Sequence, residues 1–226
     1  MTIPAPLSAP RALLFDLDGT LADTAPDLAA AVNLLRTMRG LTPAPFDLLR
    51  PVASAGARGM IGAAFGITPE DAVYDALRVG FLQNYADNIA NHTTLFDGIT
   101  ALLAHLTANG QQWGIVTNKP MRYTDALLPK IGLQHAGCII SGDTTPHAKP
   151  HPEPLLEAAR RLKLAPEDCW YIGDDLRDID AGKSAGMFTV AACWGYCGNT
   201  EPLAWKAHAI AQTPADLLTL LNQSTA

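Results

Sequence analysis

Apolar residues in this chain come in short runs that stop at polar clusters. Residues 12–15, Ala-Leu-Leu-Phe, form one such run and end at Asp16-Leu17-Asp18-Gly19-Thr20. A continuous apolar run of this length predicts a strand buried on both faces. Similar runs fall at 113–116, 138–140, 170–172 and 188–192, with a weaker one at 207–211. Helix-like patterns at 123–131, 155–164 and 179–185 alternate with them. Ile99, Leu102, Leu103 and Leu106 recur at helical spacing before Gly110, which suits a helix end. Continuous apolar strands alternating with helices predict an α/β fold with a Rossmann-like parallel sheet covered on both faces.

Residues 22–92 break that alternation. Thr24 is placed to cap a helix running to Arg39, Phe46–Arg50 reads as a short helical turn, and Thr68-Pro69-Glu70-Asp71 reads as the start of a long helix toward Asn88. The stretch Ser54–Met60 reads as a small-residue loop, and no strand is expected anywhere in the segment. The expected organisation is a core of residues 1–21 and 93–226 with a helical cap domain, 22–92, inserted after the first strand. Hinges are expected near 21–23 and 91–96, and the prolines at 4, 6 and 10 suggest a loose lead-in.

Composition narrows the partners. The chain has 226 residues, 48% of them hydrophobic, with 16 Lys and Arg against 22 Asp and Glu. That supplies ample core and no basic surface for nucleic acid. No window resembles a membrane span or a secretory signal. Cys138, Cys169, Cys193 and Cys197 are too few for a disulfide scaffold, and Cys193 and Cys197 lack a second ligand pair for zinc. A cytoplasmic protein is expected, and the pattern specifies no oligomeric state.

Candidate chemistry sits at the carboxyl ends of the predicted strands, where parallel α/β sheets bind ligands. Asp16 and Asp18 are two positions apart on a strand end, so both carboxylates face one side, and Gly19-Thr20 suits a turn that approaches an anion. Thr117 and Asn118 follow the second run, offering a hydroxyl and an amide to phosphate oxygens. Lys149 lies in the loop after the third, and Gly173-Asp174-Asp175-Leu176-Arg177-Asp178 follows the fourth. Several carboxylates together make a hard-oxygen site suited to Mg²⁺. Five motif carboxylates against one lysine leave such a site strongly anionic, so phosphate is expected to bind poorly before the metal does.

Taken in order, these four motifs resemble those of the haloacid dehalogenase superfamily across residues 12 to about 192. The resemblance implies that Asp16 is the nucleophile, forming an aspartyl phosphate, and that Asp18 serves as general acid and then base. It implies that Thr117 holds phosphate oxygen, that Lys149 neutralises Asp16 and the phosphoryl group, and that Asp16, the Asp18 carbonyl and Asp174 hold Mg²⁺. Relatives often carry Gly-Asp-Ser where this chain has Gly173-Asp174-Asp175, leaving Asp175 and Asp178 as alternative supports for the metal. A single metal and a lysine set against carboxylates suit phosphoryl transfer, which depends on positioning and charge neutralisation.

The resemblance extends to phosphoglycolate phosphatases and to N-acetylmuramic acid 6-phosphate phosphatases, so a small carboxylated phosphate ester is the expected partner. Arg58, with Arg50 upstream, is the candidate for its carboxylate. A phosphomutase, a haloalkanoate dehalogenase or a phospho-aspartate switch are the competing readings. Trp194 and Tyr196 are candidates to pack beside the site.

Overall fold

The computed structural model describes residues 9–198 and 200–224; the prolines at 4 and 6 lie outside them. Strand β1 (Ala12–Phe15) is wholly buried. A two-residue strand β2 (Ala22–Asp23) leads into α1 (Ala25–Thr37), α2 (Phe46–Leu49), a 3₁₀ turn over Arg50–Ala55, α3 (Gly56–Phe65) and α4 (Tyr74–Asp87). Strand β3 (Thr94–Leu95) returns the chain to α5 (Ile99–Ala108), β4 (Gln112–Val116), α6 (Met121–Leu127) and β5 (Ile139–Ile140). Then follow α7 (Glu153–Leu162), β6 (Cys169–Gly173), α8 (Leu176–Ser184), β7 (Phe188–Ala192), β8 (Ala209–Ala211) and α9 (Pro214–Ser224).

Six strands form one sheet in the order β5-β4-β1-β6-β7-β8, all parallel. β1 is central, with Leu13 beside Trp113 on one edge and Trp170 on the other. Its alternate residues feed different layers: Leu13 and Phe15 join the larger core with α1, α4 and α5, whereas Ala12 and Leu14 join the core under α7. This is the two-faced burial that a continuous apolar run requires.

The helical insertion differs from expectation in three places. Ala22–Asp23 pairs antiparallel with Thr94–Leu95, so the two hinge segments form a short ribbon where no strand was expected. Ser54–Met60 is helical, not a loop. Gly56, Gly59 and Gly62 weaken the helix signal, yet Gly59 is where the helix passes close to the preceding turn, since a Cβ there would collide with the Val52 carbonyl. Thr68 does not start the long helix. The Asp71 carboxylate accepts from the Thr68 backbone N–H at 2.7 Å and its hydroxyl at 3.0 Å, so the motif closes a turn and α4 begins at Tyr74. Thr24 holds the cap position of α1, but its hydroxyl turns instead to Asp18.

Candidate active site

Asp16 prolongs β1, its backbone N–H donating to the Ile172 carbonyl at 2.9 Å. Gly19 then turns the chain at φ +88°, and a Cβ there would overlap the Asp174 carboxylate. The left-handed turn and the missing side chain together let the β1 and β6 ends meet. Asp174 accepts from Thr20 Oγ1 at 2.8 Å, the Tyr196 backbone N–H at 2.9 Å and Ser54 Oγ at 3.2 Å. Carboxylate oxygens of Asp16, Asp174 and Asp178 lie within 4.8 Å of one another, all three residues buried.

Lys149 closes this cluster. Its ammonium lies 3.0 Å from Asp16 Oδ1 and 2.7 Å from Asp178 Oδ1, and donates to the Tyr171 hydroxyl at 2.8 Å and the Val116 carbonyl at 2.9 Å. One cation does not compensate three buried acids. Burial pushes the Asp16 carboxyl up to about 7, with Lys149 opposing and Asp178 and Asp18 adding to the rise. Burial, then the charges of Asp16 and Asp178, hold Asp174 well above the ordinary carboxylate range. A pocket of hard oxygens that resists carrying its own negative charge fits a divalent cation.

The second lysine of the site was missed in the sequence. Lys119 ion-pairs with Asp18 at 2.8 Å and lies 4.7 Å from the Tyr85 ring centre. Burial would lower its pKa, but the Asp18 carboxylate reverses this and raises it, so the ammonium stays charged. Its signal was its position two residues beyond Thr117, at a strand end already rich in donors. Asp18 also accepts from Thr24 Oγ1 at 2.5 Å.

Asp175 and Asp178 prove to have different surroundings. Asp175 caps α8, accepting from the Arg177 backbone N–H at 2.9 Å, and its two oxygens take the Arg177 guanidinium at 2.7 and 2.9 Å. Asp178 completes the capping box through the Asp175 N–H at 3.1 Å and turns its other oxygen to Lys149. Asp178 therefore joins the acid cluster and Asp175 does not.

Thr117 is buried on the wall of a cavity of about 240 Å³. Asn118 also borders this cavity, but both ends of its amide are engaged by Lys149: the Lys149 N–H donates to Oδ1 and Nδ2 donates to the Lys149 carbonyl, each at 2.9 Å. This pairing makes Asn118 the clamp of the lysine loop and leaves its second Nδ2 hydrogen for the cavity. Arg58 is exposed and outside the cavity wall, because the helix that replaced the expected loop turns it away. Arg50 is held by Asp23, with Nη1 2.7 Å from both carboxylate oxygens. The cavity's outer wall instead brings Arg78 from α4 and Arg122 from α6, with Phe81, Leu82, Tyr85 and Tyr123.

Trp194 and Tyr196 do pack beside the site. Trp194 Nε1 donates to the Thr20 carbonyl at 2.9 Å, and the Tyr196 hydroxyl accepts from the Thr24 and Ala25 backbone N–H groups at 2.8 and 2.9 Å. Gly195 between them fits against Asp174 and the Gly19 carbonyl with no room for a Cβ. Counting Arg78, Lys119, Arg122, Lys149 and Arg177, the cavity wall carries five cations beside four carboxylates.

A family model for haloacid dehalogenase-like hydrolases matches residues 10–186. The chain belongs to the haloacid dehalogenase-like hydrolase family. It is 46% identical over 210 residues to a phosphoglycolate phosphatase of Xanthomonas campestris pv. campestris, covering 92% of this chain and 95% of that protein. It is 39% identical over 216 residues to an N-acetylmuramic acid 6-phosphate phosphatase of Pseudomonas putida, covering 95% and 97%. A solved structure of a predicted phosphoglycolate phosphatase from Haemophilus somnus superposes with a TM-score of 0.81 at 27% identity, over 93% of this chain and 97% of that one. The chain is thus a phosphatase, acting on small-molecule phosphate esters.

Proposed function

We propose that this phosphatase hydrolyses a carboxylated phosphate monoester through an aspartyl phosphate, with Mg²⁺ as the metal. The observation that carries the reading is the division of labour at the end of β1: Asp16 lies against Lys149 at 3.0 Å, and Asp18 lies against Lys119 at 2.8 Å. Two carboxylates on one strand end are thereby given separate cations and separate tasks.

In the first step an Asp16 oxygen attacks phosphorus, the phosphorus–ester oxygen bond breaks, and Asp18 gives its proton to the departing alkoxide, releasing the alcohol. In the second, the Asp18 carboxylate takes a proton from water, whose oxygen attacks the aspartyl phosphate; the phosphorus–Asp16 oxygen bond breaks and inorganic phosphate leaves. Lys149 screens Asp16 and the transferring group, and Thr117 donates its hydroxyl to a phosphate oxygen. Asp16, the Asp18 carbonyl and Asp174, with Asp178 in support, would hold Mg²⁺, which would supply the charge neutralisation that lets an anionic nucleophile approach phosphate. Residues 22–92 act as a cap over a core of 1–21 and 93–226, excluding water and supplying specificity groups. Four unpaired cysteines suit a reducing compartment, the cytoplasm.

For the ester itself, 2-phosphoglycolate is the first candidate, supported by the Xanthomonas relative. N-acetylmuramic acid 6-phosphate is the second, supported by a cavity of about 240 Å³ walled by two tyrosines. The test is Mg²⁺-dependent hydrolysis of p-nitrophenyl phosphate by Asp16→Asn, expected to fall to background. Wild-type turnover in that variant would remove Asp16 as the nucleophile, and comparing kcat/KM for the two natural esters ranks them.

A further inference from the structure

The outer end of the cavity has a charge pattern that hydrolysis does not explain. Arg78 and Arg122 line the cavity, and both also line a shallower depression beside it, with Val79, Leu82, Gln83 and Tyr123. No acidic residue borders that depression. Among the described residues, the arginines paired with carboxylates are Arg11, Arg50, Arg160, Arg161 and Arg177; Arg78 and Arg122 are not among them. Two guanidinium groups brought to one depression without a counter-charge repel each other, and an anion between them relieves that repulsion. The Arg122 guanidinium lies 4.5 Å from the Tyr123 ring centre, a contact that steadies a planar fork suited to carboxylate or phosphate.

Lys119, paired with Asp18, lies 4.7 Å from the Tyr85 ring centre, and Tyr85 lies 5.6 Å from Tyr123 centre to centre. Arg78 and Arg122 line the same cavity as Asp16, Asp18 and Lys149.

We propose that Arg78 and Arg122 form a second anion subsite, so that the substrate is a phosphate monoester carrying a further carboxylate or phosphate. The proposal rests on the phosphatase reading above and assigns the residues that bind the second anionic group of its ester. Phe81 and Leu82 give the middle of such a molecule an apolar wall.

The experiment compares kcat/KM of the full chain with Mg²⁺ for 6-phosphogluconate, glucitol 6-phosphate, glucitol 1,6-bisphosphate and 2-phosphoglycolate. The first three share a six-carbon chain and differ in the far group: carboxylate, neutral hydroxyl or phosphate. A preference of about 10- to 100-fold for a far anion is expected, the size of one or two charge-assisted hydrogen bonds. The better of 6-phosphogluconate and the bisphosphate identifies that anion. In the Arg78→Gln/Arg122→Gln double variant the ratio of anionic to neutral ester is expected to collapse toward one. Because this readout is a ratio, a general loss of folded protein does not move it. An undiminished ratio in the double variant overturns the subsite, as does a wild-type enzyme indifferent to the far group. Failure to hydrolyse any of these esters or p-nitrophenyl phosphate overturns the phosphatase reading itself, a separate result.

Discussion

Replacing Lys119 by Met preserves the length of the side chain and removes its charge. In the native protein the ammonium is 2.8 Å from Asp18 Oδ1, with the two side chains 6% and 14% exposed. Deleting one partner of a buried ion pair costs about 3–5 kcal/mol, because the other charge is stranded. Asp18 keeps the Thr24 hydrogen bond at 2.5 Å and some contact with water, so the expected loss lies at the lower end, about 3 kcal/mol. Urea denaturation of both proteins at pH 7 measures the difference directly. No loss in the variant would refute the reasoning that Lys119 exists to compensate Asp18.

Two further substitutions probe the acid cluster. Asp178→Asn leaves Lys149 with Asp16 as its one carboxylate partner and weakens the support of the metal site; the Mg²⁺ concentration for half-maximal activity is expected to rise about 10- to 100-fold, read from activity titration and calorimetry. Gly195→Ala places a methyl group against Asp174 and the Gly19 carbonyl, where overpacking is expected to cost about 1–3 kcal/mol in thermal or urea unfolding and to weaken Mg²⁺ binding together with stability.

Much of the site was legible because strand ends in a parallel sheet collect ligands, and the motifs that follow the apolar runs mark those ends. Asp16, Asp18, Thr117, Lys149 and Asp174 converge, as their positions after β1, β4, β5 and β6 imply. Less legible was what each polar side chain would choose among neighbours. Asn118 lies beside Thr117 in sequence, yet its amide is paired with Lys149, thirty-one positions away. Lys119 carries no local signal of its own, and only the packing of α4 lays Tyr85 beside it. In the insertion, glycines at 56, 59 and 62 hid a helix whose stability comes from packing, and with the helix went the assumption that Arg58 faces substrate.

By itself, then, the sequence determined the parallel sheet, the helical insertion after β1 and that Asp16, Asp18 and Asp174 stand at its carboxyl edge. Those features follow from local period and from the rule that a buried strand must end where polar groups begin. Only the tertiary structure decided which acid serves which lysine, that Asp178 and not Asp175 completes the cluster, and that Arg78 and Arg122 flank the cavity mouth. Pairing of charges across 101 residues, as between Asp18 and Lys119, depends on how helices from the insertion and the core pack against one another, and no local pattern carries that information.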